Sequence, residues 1–135
     1  MSFWKRLLGG LRQTVIIDHN YEDKKYFAVK YVVNDVVVMN CDCHIKGDKI
    51  LLADIRDMEG NPESEYYNRG YGTIMMRYLI GYARDIGCSG IYGYLSDVDR
   101  GHEDRLVHFY EKFGFIVSYY SEPMGCNYGE VALFL

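Results

Sequence analysis

The chain changes its periodicity once, and that change limits its fold more than any other feature. From Gln13 to Asp57 the residues are rich in β-branched and aromatic side chains and are broken by turn formers. This predicts strands over about 14–18, 25–33, 36–44 and 49–57, with turns at Asn34-Asp35 and Lys46-Gly47-Asp48. Connections this short make neighbouring strands antiparallel. The polar stretch Glu59-Gly60-Asn61-Pro62-Glu63-Ser64-Glu65 cannot continue a strand. After it, Met75, Leu79, Tyr82, Ala83 and Ile86 fall on one face at helical spacing, and Gly87 is a natural stop.

Ile91–Ser96 then reads as a strand and Asp97–Gly101 as a loop. A second helix is expected over about 103–113, with Leu106, Phe109, Tyr110 and Phe113 on one stripe, followed by strands over about 115–121 and 129–135. A meander followed by helix, strand, helix, strand, strand predicts an α/β fold. Its sheet is twisted, mixed and mostly antiparallel, has about seven strands, and is flanked by helices on both sides. At 135 residues, with no internal repeat or linker, residues 1–135 read as a single domain. Trp4, Leu7, Leu8 and Leu11 follow helical spacing, so Ser2–Leu11 is expected to be a short amphipathic helix packed on the domain. Lys5, Arg6 and Arg12 leave a membrane-surface role as the alternative.

A net charge of −4 argues against nucleic acid as a partner, because binding phosphates calls for a basic excess. The same charge favours a cationic acceptor. No apolar run approaches the roughly 20 residues of a membrane span, and no secretory pattern follows Met1, so a reducing cytoplasmic setting is expected. Cys41, Cys43, Cys88 and Cys126 do not form a disulfide framework in a chain of this size. Strand alternation puts Cys41 and Cys43 on one face and His44 on the other, which leaves too few convergent ligands for zinc, and no metal is expected.

The segment Asn68-Arg69-Gly70-Tyr71-Gly72-Thr73 lies between a strand and a long helix. Its glycines let the backbone turn tightly and approach a ligand closely. The first amides of the helix are unpaired and its dipole favours negative charge, so the joint suits a pyrophosphate, with Arg69 adding a cation. The Gly-Lys-Ser/Thr ending of a nucleotide-binding P-loop is absent.

Arg69-Gly70-Tyr71-Gly72-Thr73 resembles the coenzyme A loop of the GCN5-related N-acetyltransferases (GNATs). Downstream, Phe109-Tyr110-Glu111-Lys112-Phe113-Gly114-Phe115 is similar to that family's Phe-Tyr-Glu-Lys-Leu-Gly-Phe segment, and Ala83–Cys88 resembles its helix-to-strand joint. The likeness runs from about Lys49 to Tyr120. It implies a central V-shaped splay between the strands near 50–57 and 90–96, with acetyl-CoA as co-substrate in the wedge.

On that resemblance, Ile55, Arg56 and Asp57 would pair with the pantetheine arm, and Tyr67, Asn68, Arg69, Gly70, Tyr71, Gly72 and Thr73 would hold the pyrophosphate. An amine would then attack the thioester directly, and Tyr110 would stand beside the sulfur and protonate the leaving thiolate. Tyr67 replaces the Gln or Arg the family usually has three residues before Gly70. Glu103 replaces its usual Asn, and the loop from Met58 to Tyr66 is longer than usual. No Glu occurs within Ile50–Asp57, so the general base is sought among Asp54, Asp57 and Glu59.

These carboxylates, with the loop from Asp97 to Asp104, predict an acidic mouth that recruits a cationic amine. The usual pair of helices between the first two strands of the family is trimmed, which predicts an open acceptor cleft. His102 and His108 flank the second helix and are expected to be surface or half-buried residues. The expected activity is acetyl-CoA-dependent N-acetylation of a small-molecule or peptide amine by a monomer or homodimer. The alternative is a non-catalytic acyl-CoA-binding regulatory or scaffold module.

Overall fold

The computed structural model describes residues 3–8, 11–58 and 70–135, with the backbone alone for 3–8, Leu11 and Asp57. Eight strands form one sheet: β1 (Phe3–Leu8), β2 (Leu11–His19), β3 (Tyr26–Val33), β4 (Val36–Lys46), β5 (Lys49–Asp57), β6 (Gly90–Ser96), β7 (Ile116–Met124) and β8 (Asn127–Phe134). Their order is β1-β2-β3-β4-β5-β6-β8-β7, and among the described residues only β5 and β6 pair in parallel. Among the described residues two α-helices interrupt the strands, α1 (Tyr71–Asp85) and α2 (Glu103–Glu111), and Asp97–His102 forms a 3-10 helix where a loop was expected. The α/β class and the mixed, mostly antiparallel sheet follow the sequence reading, and all seven expected strands are present.

The eighth is a correction. Phe3–Leu8 is a strand, not a helix, and it pairs antiparallel with β2 from Phe3↔Ile16 to Leu8↔Leu11. A helix of about ten residues is marginal in water, whereas pairing along β2 satisfies the same backbone groups. The two residues between Leu8 and Leu11 are Gly-Gly, a favoured sequence for two-residue hairpins.

The meander turns sit where the sequence places them. Asn34 and Asp35 both adopt positive φ (50° and 68°) between the paired residues Val33 and Val36, the conformation that a two-residue hairpin demands. Gly47 does the same at φ 63° between Lys46 and Lys49. At the other edge of the sheet β7 runs on to Met124, beyond its expected end, and takes Pro123 into a strand whose outer side needs no donor.

One core lies between the sheet and the helices. Val15, Ile17, Phe27, Val29, Tyr31, Ile50, Leu52, Ile91, Leu95 and Val131 are buried from the strands, and Tyr71, Met75, Met76, Leu79, Ile80 and Ala83 from α1. Each large apolar side chain buried there contributes on the order of 1.5–3 kcal/mol. Tyr31 stacks on Tyr71 at 4.4 Å and its hydroxyl donates to the buried Gln13 Oε1, which fixes the start of α1 over β3.

Both helices lie on the same face of the sheet. Phe109 of α2 faces Gly72 of α1, and Gly114, just past α2, approaches Leu133 on the core side of β8. Connections from β5 to β6 and from β6 to β7 step in the same direction along the sheet, so right-handed crossovers put their helices on the same side. The expectation of helices on both sides is therefore corrected: among the described residues none covers the second face. The connection Asn20–Lys25 between β2 and β3 is too short to carry one. The second face instead carries ion pairs, Lys30 with Asp18 at 2.6 Å and Arg56 with Asp42 at 2.9 Å and Asp54 at 3.2 Å.

Candidate coenzyme and acceptor site

The sheet opens in the middle. β5 and β6 pair through only three positions, Lys49↔Gly90, Ile50↔Ile91 and Leu51↔Tyr92, and then diverge. The cause lies on β5: Asp42 opposes Asp54 while Cys43 opposes Leu52, so Ala53 is an extra residue, a bulge that bends the strand. From Leu52 to Asp57 the edge of β5 that faces β6 has no strand partner among the described residues. Its amides and carbonyls are presented to the gap, an edge open inside a sheet.

The α1 N-terminus stands beside this edge. Gly70 caps the helix at φ 76°, ψ 13°, a left-handed conformation that suits glycine. Ile74 N–H makes the first turn's bond to Gly70 O at 3.2 Å. Among the described residues no side chain caps the helix, and no acidic residue lies in its first turn, so the leading amides and the positive end of the dipole are available to an anion. A Cβ at Gly72 would stand 3.3 Å from the Phe109 ring and 3.7 Å from the Met39 methyl, so glycine keeps the space open.

The resulting cleft, of about 390 Å³, runs between α1, α2 and β5, with Met39, Ile55, Gly72, Thr73, Leu106 and Phe109 along its walls. It is also basic. His102, Arg105, His108 and Lys112 line it from the α2 side. Lys112 Nζ donates to Thr73 Oγ1 at 2.6 Å, which places an ammonium at the mouth of the helix dipole.

Sequence reasoning missed this stripe. His102 and His108 are exposed, as expected, yet they also line the cleft, and Arg105 and Lys112 join them there. The four follow helical spacing, 102, 105, 108 and 112, beside the apolar stripe of Leu106, Phe109 and Phe113.

The named residues divide as follows. Gly70, Gly72, Thr73 and Ile55 line the cleft. Tyr71 turns its ring into the core and offers the cleft only its backbone. Arg56 points to the second face, held by Asp42 and Asp54. Tyr67, Asn68, Arg69 and Glu59 lie outside the described residues, and Asp57 is described by its backbone, which pairs with Met39.

Tyr110 is buried at 6% exposure, edge-on to Phe115 at 5.2 Å. Its pKa is driven well above the ordinary phenol range, by burial first and then by Cys41, Asp99, Cys43 and Asp54. It is therefore held as a neutral phenol, chiefly by its burial. Asp54 is raised too, by burial first, with Arg56 lowering it and Asp42 and Asp99 raising it. Cys41 and Cys43 are buried with their sulfurs 3.8 Å apart, and His44, on the other face, stacks on Tyr26 at 3.9 Å.

Residues 63–115 match the family model described as the acetyltransferase (GNAT) family. The coenzyme A complex of the PaiA N-acetyltransferase from Thermoplasma acidophilum superposes with a TM-score of 0.63 at 14% identity, over 80% of this chain and 60% of that one. The chain has the GNAT fold. Naa50 of Arabidopsis thaliana, in complex with the bisubstrate analogue CoA-Ac-MVNAL, shares this GNAT architecture at a TM-score of 0.60, with 16% identity over 80% of this chain and 72% of that one.

In sequence, the uncharacterized protein YocC of Bacillus subtilis (strain 168) is 42% identical over 72 residues. That match takes in 53% of this chain and 39% of YocC, so the chain spans well under two thirds of this relative's length. Among the described residues no helix is long and apolar enough to cross a membrane, and no three metal-ligating side chains gather.

Proposed function

We propose that the chain is an acetyl-CoA-dependent N-acetyltransferase that moves the acetyl group directly to an amine. The observation that carries the proposal is the conjunction, around one cleft, of an open β5 edge, a helix N-terminus with no side-chain cap among the described residues, and a set of basic side chains. Pantetheine would add to the β5 edge as a strand does, through Ile55 to Asp57. Pyrophosphate would sit on the amides of Gly70 to Thr73, with Tyr67 to Arg69 beside it and Lys112 and Arg105 supplying countercharge. The coenzyme A complex on this fold supports that reading.

The thioester then meets its acceptor within the splay. The amine lone pair attacks the carbonyl carbon, a C–N bond forms and the C–S bond breaks. The nitrogen gives up a proton to a carboxylate or to water, and the thiolate takes one from Tyr110. A phenol held neutral by burial suits a donor, and holding the two reactants in line supplies much of the acceleration. Asp54 is the described carboxylate on the β5 arm, and Asp57 and Glu59 remain candidates for the same proton.

The second face, which no helix covers among the described residues, would admit acceptors of different sizes, peptides among them, and the analogue CoA-Ac-MVNAL bound to Naa50 supports that breadth. The test is a screen of purified protein over polyamines, peptides, aminoglycosides and amino acids, reading thiol release and acetylated product together. Thiol release that depends on the amine is expected. Acetyl-CoA binding without product from any class favours the non-catalytic acyl-CoA module.

A further inference from the structure

The second face of the sheet is polar only in part. A sheet with one face in water alternates apolar residues inward with polar residues outward, and the ion pairs of Lys30 with Asp18 and of Arg56 with Asp42 and Asp54 obey that rule. Beside them it fails. The register carries one row of outward side chains across six strands, from Tyr26 through His44, Leu51, Tyr92 and Ala132 to Ile116. Ile116 is 57% exposed and Tyr26 is exposed, and the four between them are half-buried. Phe134, two residues along β8 from Ala132, is 69% exposed, and Tyr94, two residues along β6 from Tyr92, is exposed as well. The rings are ordered against one another: Tyr26 stacks on His44 at 3.9 Å and Tyr92 meets Tyr94 edge-on at 6.0 Å.

Six strands about 4.8 Å apart make this row roughly 29 Å wide, and with the residues two positions to either side it covers roughly 20 Å along the strands. That footprint of roughly 600 Å², before side-chain relief is counted, approaches the about 800 Å² of accessible surface that each partner of a stable complex buries. An exposed apolar patch of this extent marks an interaction site.

The charges on the two sides of the row are opposite in sign. On one side Lys46 and Lys49 stand opposite each other on β4 and β5, both exposed and neither in an ion pair among the described residues. On the other side stand Asp18, Asp42, Asp54 and Glu130, which Lys30 and Arg56 offset only in part.

We propose that this row is the interface between two copies of the chain, packed sheet on sheet about a two-fold axis that runs along the row. Such an axis exchanges the two sides. It sets Lys46 and Lys49 of each copy against the acidic side of its mate and the apolar row against itself, the self-complementarity that a two-fold interface demands. A partner of one charge sign is repelled on one side of the row, whereas a second copy is matched on both. The coenzyme cleft lies on the helix face and stays free, and the splay opens beyond Leu51 and Tyr92, so the mate borders the acceptor's approach on the second face.

Sedimentation velocity from about 1 to about 200 µM tests this, and a dimer with a Kd of about 10 µM or tighter is expected. Ile116→Lys and Phe134→Lys place charge at exposed positions that pack on no core, and each counts twice across the axis, so each should weaken the dimer by about 100-fold. Lys46→Glu should weaken it by about tenfold at low salt, and by less as salt is added. Thermal melts check the fold of each variant. Coenzyme A affinity should stay within about twofold of the parent in all three, because the cleft lies on the other face, and this separates the interface from the reading of the cleft. A parent that remains monomeric at about 200 µM, or a dimer that all three folded variants leave intact, would overturn the proposal.

Discussion

Replacing Gly72 separates the stability of α1 from its use as an anion seat, because the two respond with opposite sign. Gly72 has ordinary helical backbone, so a side chain there is unstrained. In Gly72→Ala the new methyl meets the Phe109 ring at 3.3 Å and Met39 at 3.7 Å. Phe109 is only half-buried and can yield by a few tenths of an ångström, while the helix gains up to about 1 kcal/mol in propensity. In Gly72→Asp the carboxylate enters a first turn that holds no acidic residue, where the dipole favours it by about 0.3–1 kcal/mol. Neither variant should lower the melting temperature by more than a degree or two, and either could raise it.

Binding should move the other way. A carboxylate about 5 Å from a phosphate, at an effective dielectric of about 40, is repelled by about 1.7 kcal/mol for each unit of phosphate charge, and the pyrophosphate carries more than one. Together with the lost close approach, this puts the loss in coenzyme A affinity for Gly72→Asp at about 100-fold or more, and for Gly72→Ala at about tenfold. Calorimetric titration with coenzyme A, paired with thermal melts, reads both quantities. A folded Gly72→Asp protein that binds coenzyme A as tightly as the parent would show that the phosphates sit elsewhere.

Tyr110→Phe should lower kcat at least tenfold and leave acetyl-CoA affinity within about twofold, since the ring still packs and only the proton donor is lost; steady-state kinetics with calorimetry decides this. The raised pKa keeps that phenol protonated, so no loss of rate assignable to Tyr110 should appear between neutral pH and pH 10. Lys112→Met keeps the packing against Phe109 and Phe113, whose centroids lie 5.2 and 5.3 Å from Nζ, but removes the charge beside Thr73. Coenzyme A affinity should fall by about 10- to 100-fold, and the difference should shrink as salt is added. Asp54 has a raised pKa, so its charged form is disfavoured in the fold and opposes stability above its titration. Asp54→Asn should therefore raise the melting temperature at pH 7, and the gain should vanish near pH 3, below the ordinary Asp pKa of about 3.9.

Local signals were legible in the sequence and long-range consequences were not. Asn34-Asp35 and Gly47 mark turns because positive φ is a local demand, and the face Met75, Leu79, Ala83 declares α1 without reference to the rest of the chain. Gly70 and Gly72 announced a close backbone approach, and the cleft lies beside both. β1 was misread because Trp4, Leu7 and Leu8 fit helical spacing, while the partner that makes them a strand is β2, supplied by the rest of the fold.

The bulge at Ala53 is silent as well: Leu51-Leu52-Ala53-Asp54-Ile55 reads as an unbroken strand, and only the register against Asp42 and Cys43 reveals the extra residue that opens the wedge.

That acetyl-CoA lies along the open edge of β5 with its phosphates on α1 is tested most directly by amide hydrogen exchange with and without the ligand. Saturating acetyl-CoA should slow exchange at Ile55 to Asp57 and at Tyr71 to Thr73 together, and leave the β2 and β3 amides unchanged. Binding that protects neither segment, or protects only amides on the second face, would contradict the placement of the coenzyme and with it the direct-transfer mechanism.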